Sequence, residues 1–344
     1  MAAKGPSIDS PIRPYLPTVD KELWQYLLLE IYPLIKIGKT SAQVLDVFET
    51  SDNASELGKA LKGNQYYGDA LQKLIKEKGL KSEARDEANA AVLLGMLNTR
   101  NIICASQMWR NIHGEDLQSY DFEKILYFAN KANEFKQLFG KSGPMWVYAS
   151  GLIWDFIREL MTLDERFDQK ELTWLNKQFE RAYKAGKMAF LLLNERKEDQ
   201  FLFYRHTTAA CLVLGAGYAL MAFLDPENYP NVLDKALEEK LGSPGIQLME
   251  QAWFGISHCQ MATLLSASFP MFQDINPSLI CADHPQILNQ NKNKKSKDYY
   301  FLSLAIHLSF NAISYQQPAL INPAKIPLPW DAAQIDRAFK RALT

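Results

Sequence analysis

Histidine, aspartate and cysteine are the side chains that ligate metals and move protons near neutral pH, and this chain uses histidine sparingly. Five occur in 344 residues. His258 lies in the uncharged run FGISHCQMATLL (254–265), and His284 follows Asp283 directly in ICADHPQIL (280–288). With His206, which precedes a long apolar run, these three residues are the candidates for a ligand-binding or structural role. A metal needs three or four converging ligands, and neighbours on a helix point about 100° apart. The Asp283–His284 doublet therefore makes no metal site alone, and the expectation is no catalytic residue, no metal and no cofactor. His113, in NIHGED, reads as an exposed loop residue. For His258 the expected role is structural, near the start of a helix after a turn at Gly255. A buried imidazole needs a hydrogen-bond partner, so a partner for His258 is part of that expectation.

Other chemistry is thinly represented. The chain contains no GxGxxG, Walker loop, HExxH, GxSxG or Cys/His cluster of metal-binding spacing. Asp164–Glu165 and Glu238–Glu239 sit in charge-rich segments and read as solvated faces. Cys104, Cys211, Cys259 and Cys281 have no CxxC spacing and mostly apolar neighbours, so they read as small buried hydrophobes in a reducing compartment. A formal net charge of −1 argues against a dedicated nucleic-acid binder. The basic stretch NKNKKSKDYY (291–300) reads as a solvated loop. The first seventeen residues lack the apolar segment of a secretion signal, so a cytoplasmic location is expected.

The elements that must position these residues are helices. Hydrophobic residues are 47% of the chain, and alternating strand patterns with Asn-Gly or Asp-Gly turns are missing. Helical spacing recurs in DKELWQYLLLEIYPLIKIG, in ARDEANAAVLLGMLNTRNIICASQMW with a face through Ala91, Leu94 and Leu97, and in DFEKILYFANKANEFKQLFG. It recurs again in ELTWLNKQFERAYKAGKMAFLLLN, with Trp174, Leu175, Phe179, Ala182 and Tyr183 on one face. From Thr207 to Leu224 eighteen residues pass without a charge. Interrupted by Gly215 and Gly217, this run reads as a central core helix that others approach closely, rather than a membrane span. A last short helix is expected after Asp331 as its cap. The reading is all-α: an extended lead-in (1–20), an N-terminal helical subdomain (21–140), a second helical subdomain (141–313) and a C-terminal extension (314–344).

Several pieces, in order, resemble the HDOD family, the HD-related output domains of bacterial signalling. They are AAVLLGMLNTRNI (90–102), GPMWVYASGLIWDFI (143–157), CLVLGAGYALM (211–221), the stretch from FGISHCQMATLL through ICADHP, and LAIHLSFNAI (304–313). The resemblance spans roughly residues 50 to 313 and implies an HD-like helical fold. HD phosphohydrolases hold a metal through a first histidine, a His-Asp doublet and a distal aspartate. In this chain those positions fall near Tyr148, near Leu214 and Gly215, and near Phe310 or Asn311, where no such ligand stands. The resemblance therefore implies a pseudoenzyme: a regulatory module that binds another signalling protein or senses a small ligand; the charge balance and the glycine-interrupted 207–224 run add the expectation of no nucleic-acid partner and no membrane span. The competing expectation is a divergent phosphohydrolase with a relocated site using His206, His258, Asp283 and His284.

Overall fold

The computed structural model describes residues 39–77, 79–80, 84–113, 143–195, 206–267, 270–290, 294–317 and 328–343. Every regular element among them is helical. The helices expected over DKELWQYLLLEIYPLIKIG and DFEKILYFANKANEFKQLFG, and most of the proline-rich 314–330 break, lie outside the described residues. The chain divides into two compact units, Lys36–Phe156 and a second that holds Ile157–Thr344, so the boundary falls inside one helix, Gly143–Leu163.

The first unit contains α1 (Lys39–Thr50), α2 (Ala54–Ala60), α3 (Gln65–Glu77), α4 (Glu87–His113) and the greater part of α5 (Gly143–Leu163). Helix α2 is capped by Asn53, whose side chain accepts the Ser55 N–H at 2.9 Å. It packs so tightly on α4 that a Cβ on Gly58 would lie 2.5 Å from the Ala88 Cα and the Glu87 carbonyl oxygen. Gly95 breaks α4 with φ +76°, a conformation that favours glycine. Because of that break the expected face does not run straight: Ala91 and Leu94 are buried, Leu97 is only half-buried, and burial resumes at Thr99, Ile102 and Ile103. His113 is the last helical residue of α4 rather than part of a loop. The unit's core joins Val44, Leu57, Leu71 and Ile103 to Tyr148, whose ring meets Phe48 edge-on at 5.5 Å. A polar chain threads it: the Tyr67 hydroxyl donates to Gln107, Gln107 donates to Asp155, and Arg110 pairs with Asp155 at 2.7 Å.

In the second unit follow α6 (Gln169–Glu195), α7 (Thr207–Met221), α8 (Tyr229–Glu238), α9 (Ser243–Phe254), α10 (His258–Ala267), α11 (Asn276–Ile280), α12 (Lys294–Tyr315) and α13 (Ala332–Leu343). Two 3-10 segments, Pro270–Ile275 and Pro285–Gln290, flank α11. A capping box starts α6: Asp168 accepts the Lys170 N–H at 2.6 Å while its own N–H donates to Glu171 at 2.9 Å. All five expected face residues of α6 are buried. Asp331 caps α13 through a reciprocal pair with Gln334, 2.7 and 2.9 Å. The basic stretch expected to be a loop is helical from Lys294 onward; lysine is a good helix former, and the apolar residues that follow give the turn a core to join.

Helix α7 is the centre of this unit. All fifteen of its residues are buried, among α6, α10 and α12. Its two close approaches are made where side chains are absent or small. A Cβ on Gly186 of α6 would touch Thr208 at 3.0 Å, and one on Gly217 would fall 2.2 Å from the carbonyl oxygen of His258. Gly217 thus lets α10 lie directly on α7. Among the described residues no helix is long and apolar enough to cross a membrane.

Candidate functional site

Local sequence sets the position of His258. Helix α9 ends at Gly255, whose φ of +69° reverses the chain. Ser257 and Gln260 then close a second capping box: the Ser257 N–H donates to Gln260 Oε1 at 2.9 Å, and the Gln260 N–H to Ser257 Oγ at 3.4 Å. His258 is therefore the first residue of α10, with an N–H that no helix bond can satisfy. Glu250, one turn before the end of α9, accepts it at 2.8 Å. The same carboxylate oxygen lies 2.6 Å from His258 Nδ1, and its other oxygen accepts the Tyr229 hydroxyl at 2.6 Å. Two protons donated by His258 to one oxygen place the ring N–H on Nδ1.

On the far side of the ring, Nε2 faces Asp283 Oδ2 at 3.1 Å, an ion-pair contact between two groups shut off from water. Asp283 sits in the turn between α11 and the following 3-10 segment. The Cys259 thiol points at the same oxygen from 3.4 Å. Tyr218 of α7 stacks on the imidazole, with ring centroids 3.7 Å apart and planes 13° from parallel. The Arg181 guanidinium lies 4.7 Å over the Tyr218 ring. Glu250, His258 and Cys259 have no exposed surface, and Asp283 has 2%.

The electrostatics follow from that enclosure. Burial opposes a charge on His258, but Cys259, Glu250, Tyr218 and Asp283 act the other way and lift its pKa well above the ordinary value. Burial pushes the Cys259 thiol up to about 12 and Tyr218 well above its usual range, so neither is an anion beside the ring. Burial also works against ionised Asp283, yet the charge on His258 outweighs it, helped by a Ser243 hydrogen bond, and holds the carboxyl at about 2. The result is an imidazolium clamped between two carboxylates.

Beside this cluster His307 is buried and neutral, its pKa lowered by burial against the opposing pull of Asp283. Its Nδ1 meets the Ala282 carbonyl at 3.1 Å and Ser243 Oγ at 3.2 Å, and Asn311 Nδ2 approaches Nε2 at 3.3 Å. The proton is therefore on Nδ1, and Nε2 accepts.

Of the residues singled out from sequence, the structure brings together His258 and Asp283. His284 is half-buried beside Asp283, and His206 opens α7; neither joins the His258–Cys259–Asp283 group. Leu214 and Gly215 are buried within α7, Phe310 lies 6.1 Å from Tyr218, and Asn311 serves as the anchor of His307. Tyr148 belongs to the core of the other unit. Sequence reasoning missed Glu250, Tyr218 and the polar role of Cys259. A signal for Glu250 was present: it is the single charged residue between Gly242 and Ala282 apart from His258 and Asp274. Comparison of the chain with protein-family models, curated proteins and solved structures finds no match in any of the three.

Proposed function

We propose that this protein is a non-enzymatic regulatory module, of the HDOD-like kind its sequence resembles, acting by binding another protein or sensing a small ligand. The closure of the Glu250–His258–Asp283 cluster carries the reading. A general acid or base must come within hydrogen-bond reach of its substrate, and these groups are spent on one another behind a wall of side chains. Further support comes from Leu214 and Gly215, which offer no ligand atom where an HD enzyme places its doublet. Leu241, Leu248 and Trp253, at 47, 65 and 47% exposure before and along α9, provide apolar surface for a partner. The test is a panel of phosphoesters and nucleotides assayed with Mn2+ and Zn2+, beside affinity capture with wild type and a Leu248→Ser, Trp253→Ser variant. The expected result is no turnover above background and a partner lost in the variant. Turnover that disappears in His258→Gln with the fold intact would instead establish the competing hydrolase reading, which the 3.1 Å approach of His258 to Asp283 favours.

A further inference from the structure

Three different donor atoms converge in the closed cluster: His258 Nε2, Cys259 Sγ and an Asp283 oxygen, all within 4.8 Å of one another. Tetrahedral zinc, with bonds of about 2.0 Å to nitrogen or oxygen and 2.3 Å to sulfur, sets N···O near about 3.3 Å and S···O near about 3.5 Å. The corresponding separations here are 3.1 and 3.4 Å. An independent observation concerns Nε2. It is fully buried, aimed into the group and makes no hydrogen bond, while Nδ1 on the other side of the ring is held by Glu250 at 2.6 Å. A carboxylate behind one imidazole nitrogen, with the other nitrogen making no hydrogen bond and facing further donor atoms, is the arrangement that orients histidine for a metal. Ser243 steadies the Asp283 carboxylate in the same way.

We infer that His258 Nε2, Cys259 Sγ and Asp283 form a closed structural site for a divalent zinc-like cation, with Glu250 positioning the imidazole. A mixed thiolate, imidazole and carboxylate set selects zinc or cobalt over magnesium or calcium, which take oxygen donors. The fourth position falls to the second Asp283 oxygen or a water. Binding replaces the proton of the Cys259 thiol and the proton on Nε2 with one dication, both protons leaving to solvent, so the buried charge is the same before and after. Enclosure makes the ion a staple between α10 and the α11 turn rather than a catalyst. The inference does not rest on the non-enzymatic reading: a loaded site with phosphoesterase activity would overturn that reading and leave the site standing.

The experiment is to refold the full chain from denaturant with Co2+, or to express it in cobalt-supplemented medium, and then measure metal content and the absorption spectrum. The site predicts one Co2+ per chain and a thiolate-to-cobalt charge-transfer band, displaced by Zn2+. The band should be lost in Cys259→Ser and retained in Cys104→Ser and Cys281→Ser. Absence of stoichiometric cobalt and zinc in the folded wild-type protein by both routes overturns the inference, and so does a band that survives Cys259→Ser.

Discussion

Replacing His258 by glutamine removes the cation from between two buried carboxylates and leaves a side chain that can donate to only one of them. Breaking a buried ion pair by deleting one partner costs about 3–5 kcal/mol, and loss of the stack on Tyr218 adds about 0.5–1.5 kcal/mol. A loss of about 5 kcal/mol is a large share of the about 5–15 kcal/mol that holds a domain folded. For a unit of this size it lowers Tm by roughly 10–20 °C. The pH dependence is the sharper readout. In the wild type, Asp283 has a folded pKa of about 2, below its unfolded value, so its contribution is present above the unfolded value and fades as pH falls towards 2. His258 has a raised folded pKa, so its contribution is complete below its unfolded value and fades as pH rises through the folded one. Without the imidazolium, burial dominates Asp283 and lifts its pKa instead. The folded variant then goes on gaining stability as pH falls from about 6 to 5, where the wild-type His258 contribution is already close to complete. Urea unfolding by circular dichroism at several pH values, in chelator, measures both effects. Adding Glu250→Gln and Asp283→Asn to the variant should recover at least half of the loss. A cost below about 1 kcal/mol with an unchanged pH slope would refute the picture of a charged cluster.

Other consequences are equally specific. Gly217→Ala places a methyl 2.2 Å from the His258 carbonyl oxygen and should cost about 1–3 kcal/mol in urea unfolding, despite alanine's better helix propensity. Ser257→Ala removes the cap of α10 and should cost about 1 kcal/mol by the same assay, a tenth as large at most if the box is not formed in solution. Nitrogen-15 NMR of the two buried histidines should separate them, with His258 holding its second proton well above pH 6.5 and His307 remaining a neutral Nδ1–H tautomer below that value. Coincident titration would contradict the assigned environments.

The helical class was legible because helical periodicity needs only local information: the α6 face from Trp174 to Tyr183 and the cap at Asp331 stand where spacing places them. The burial of α7 was legible too, since a run without charge and with glycines at its contacts has one comfortable place in a helical protein. Gly95 was harder. A glycine within a helical pattern reads as tolerated, and only the packing of both halves reveals a break. Charge and the Asn and Ser content make the stretch around Lys294 and Lys295 read as a loop, whereas the backbone there follows the apolar residues after it. The site was half legible: His258 demanded a partner, and the demand was correct. Its identity was not readable, because Glu250 and Asp283 reach the ring across a chain reversal and a turn whose geometry is tertiary.

Cys259 reports directly on whether the cluster is closed. Its sulfur lies against Asp283 with no exposed surface. Native protein in chelator, pulsed with a small thiol alkylating reagent and mapped by mass spectrometry, should label Cys259 only at the rate of global unfolding. Labelling of Cys259 under native conditions far faster than unfolding, and blocked by a phosphoester ligand, would show a site that opens to substrate and would contradict the account.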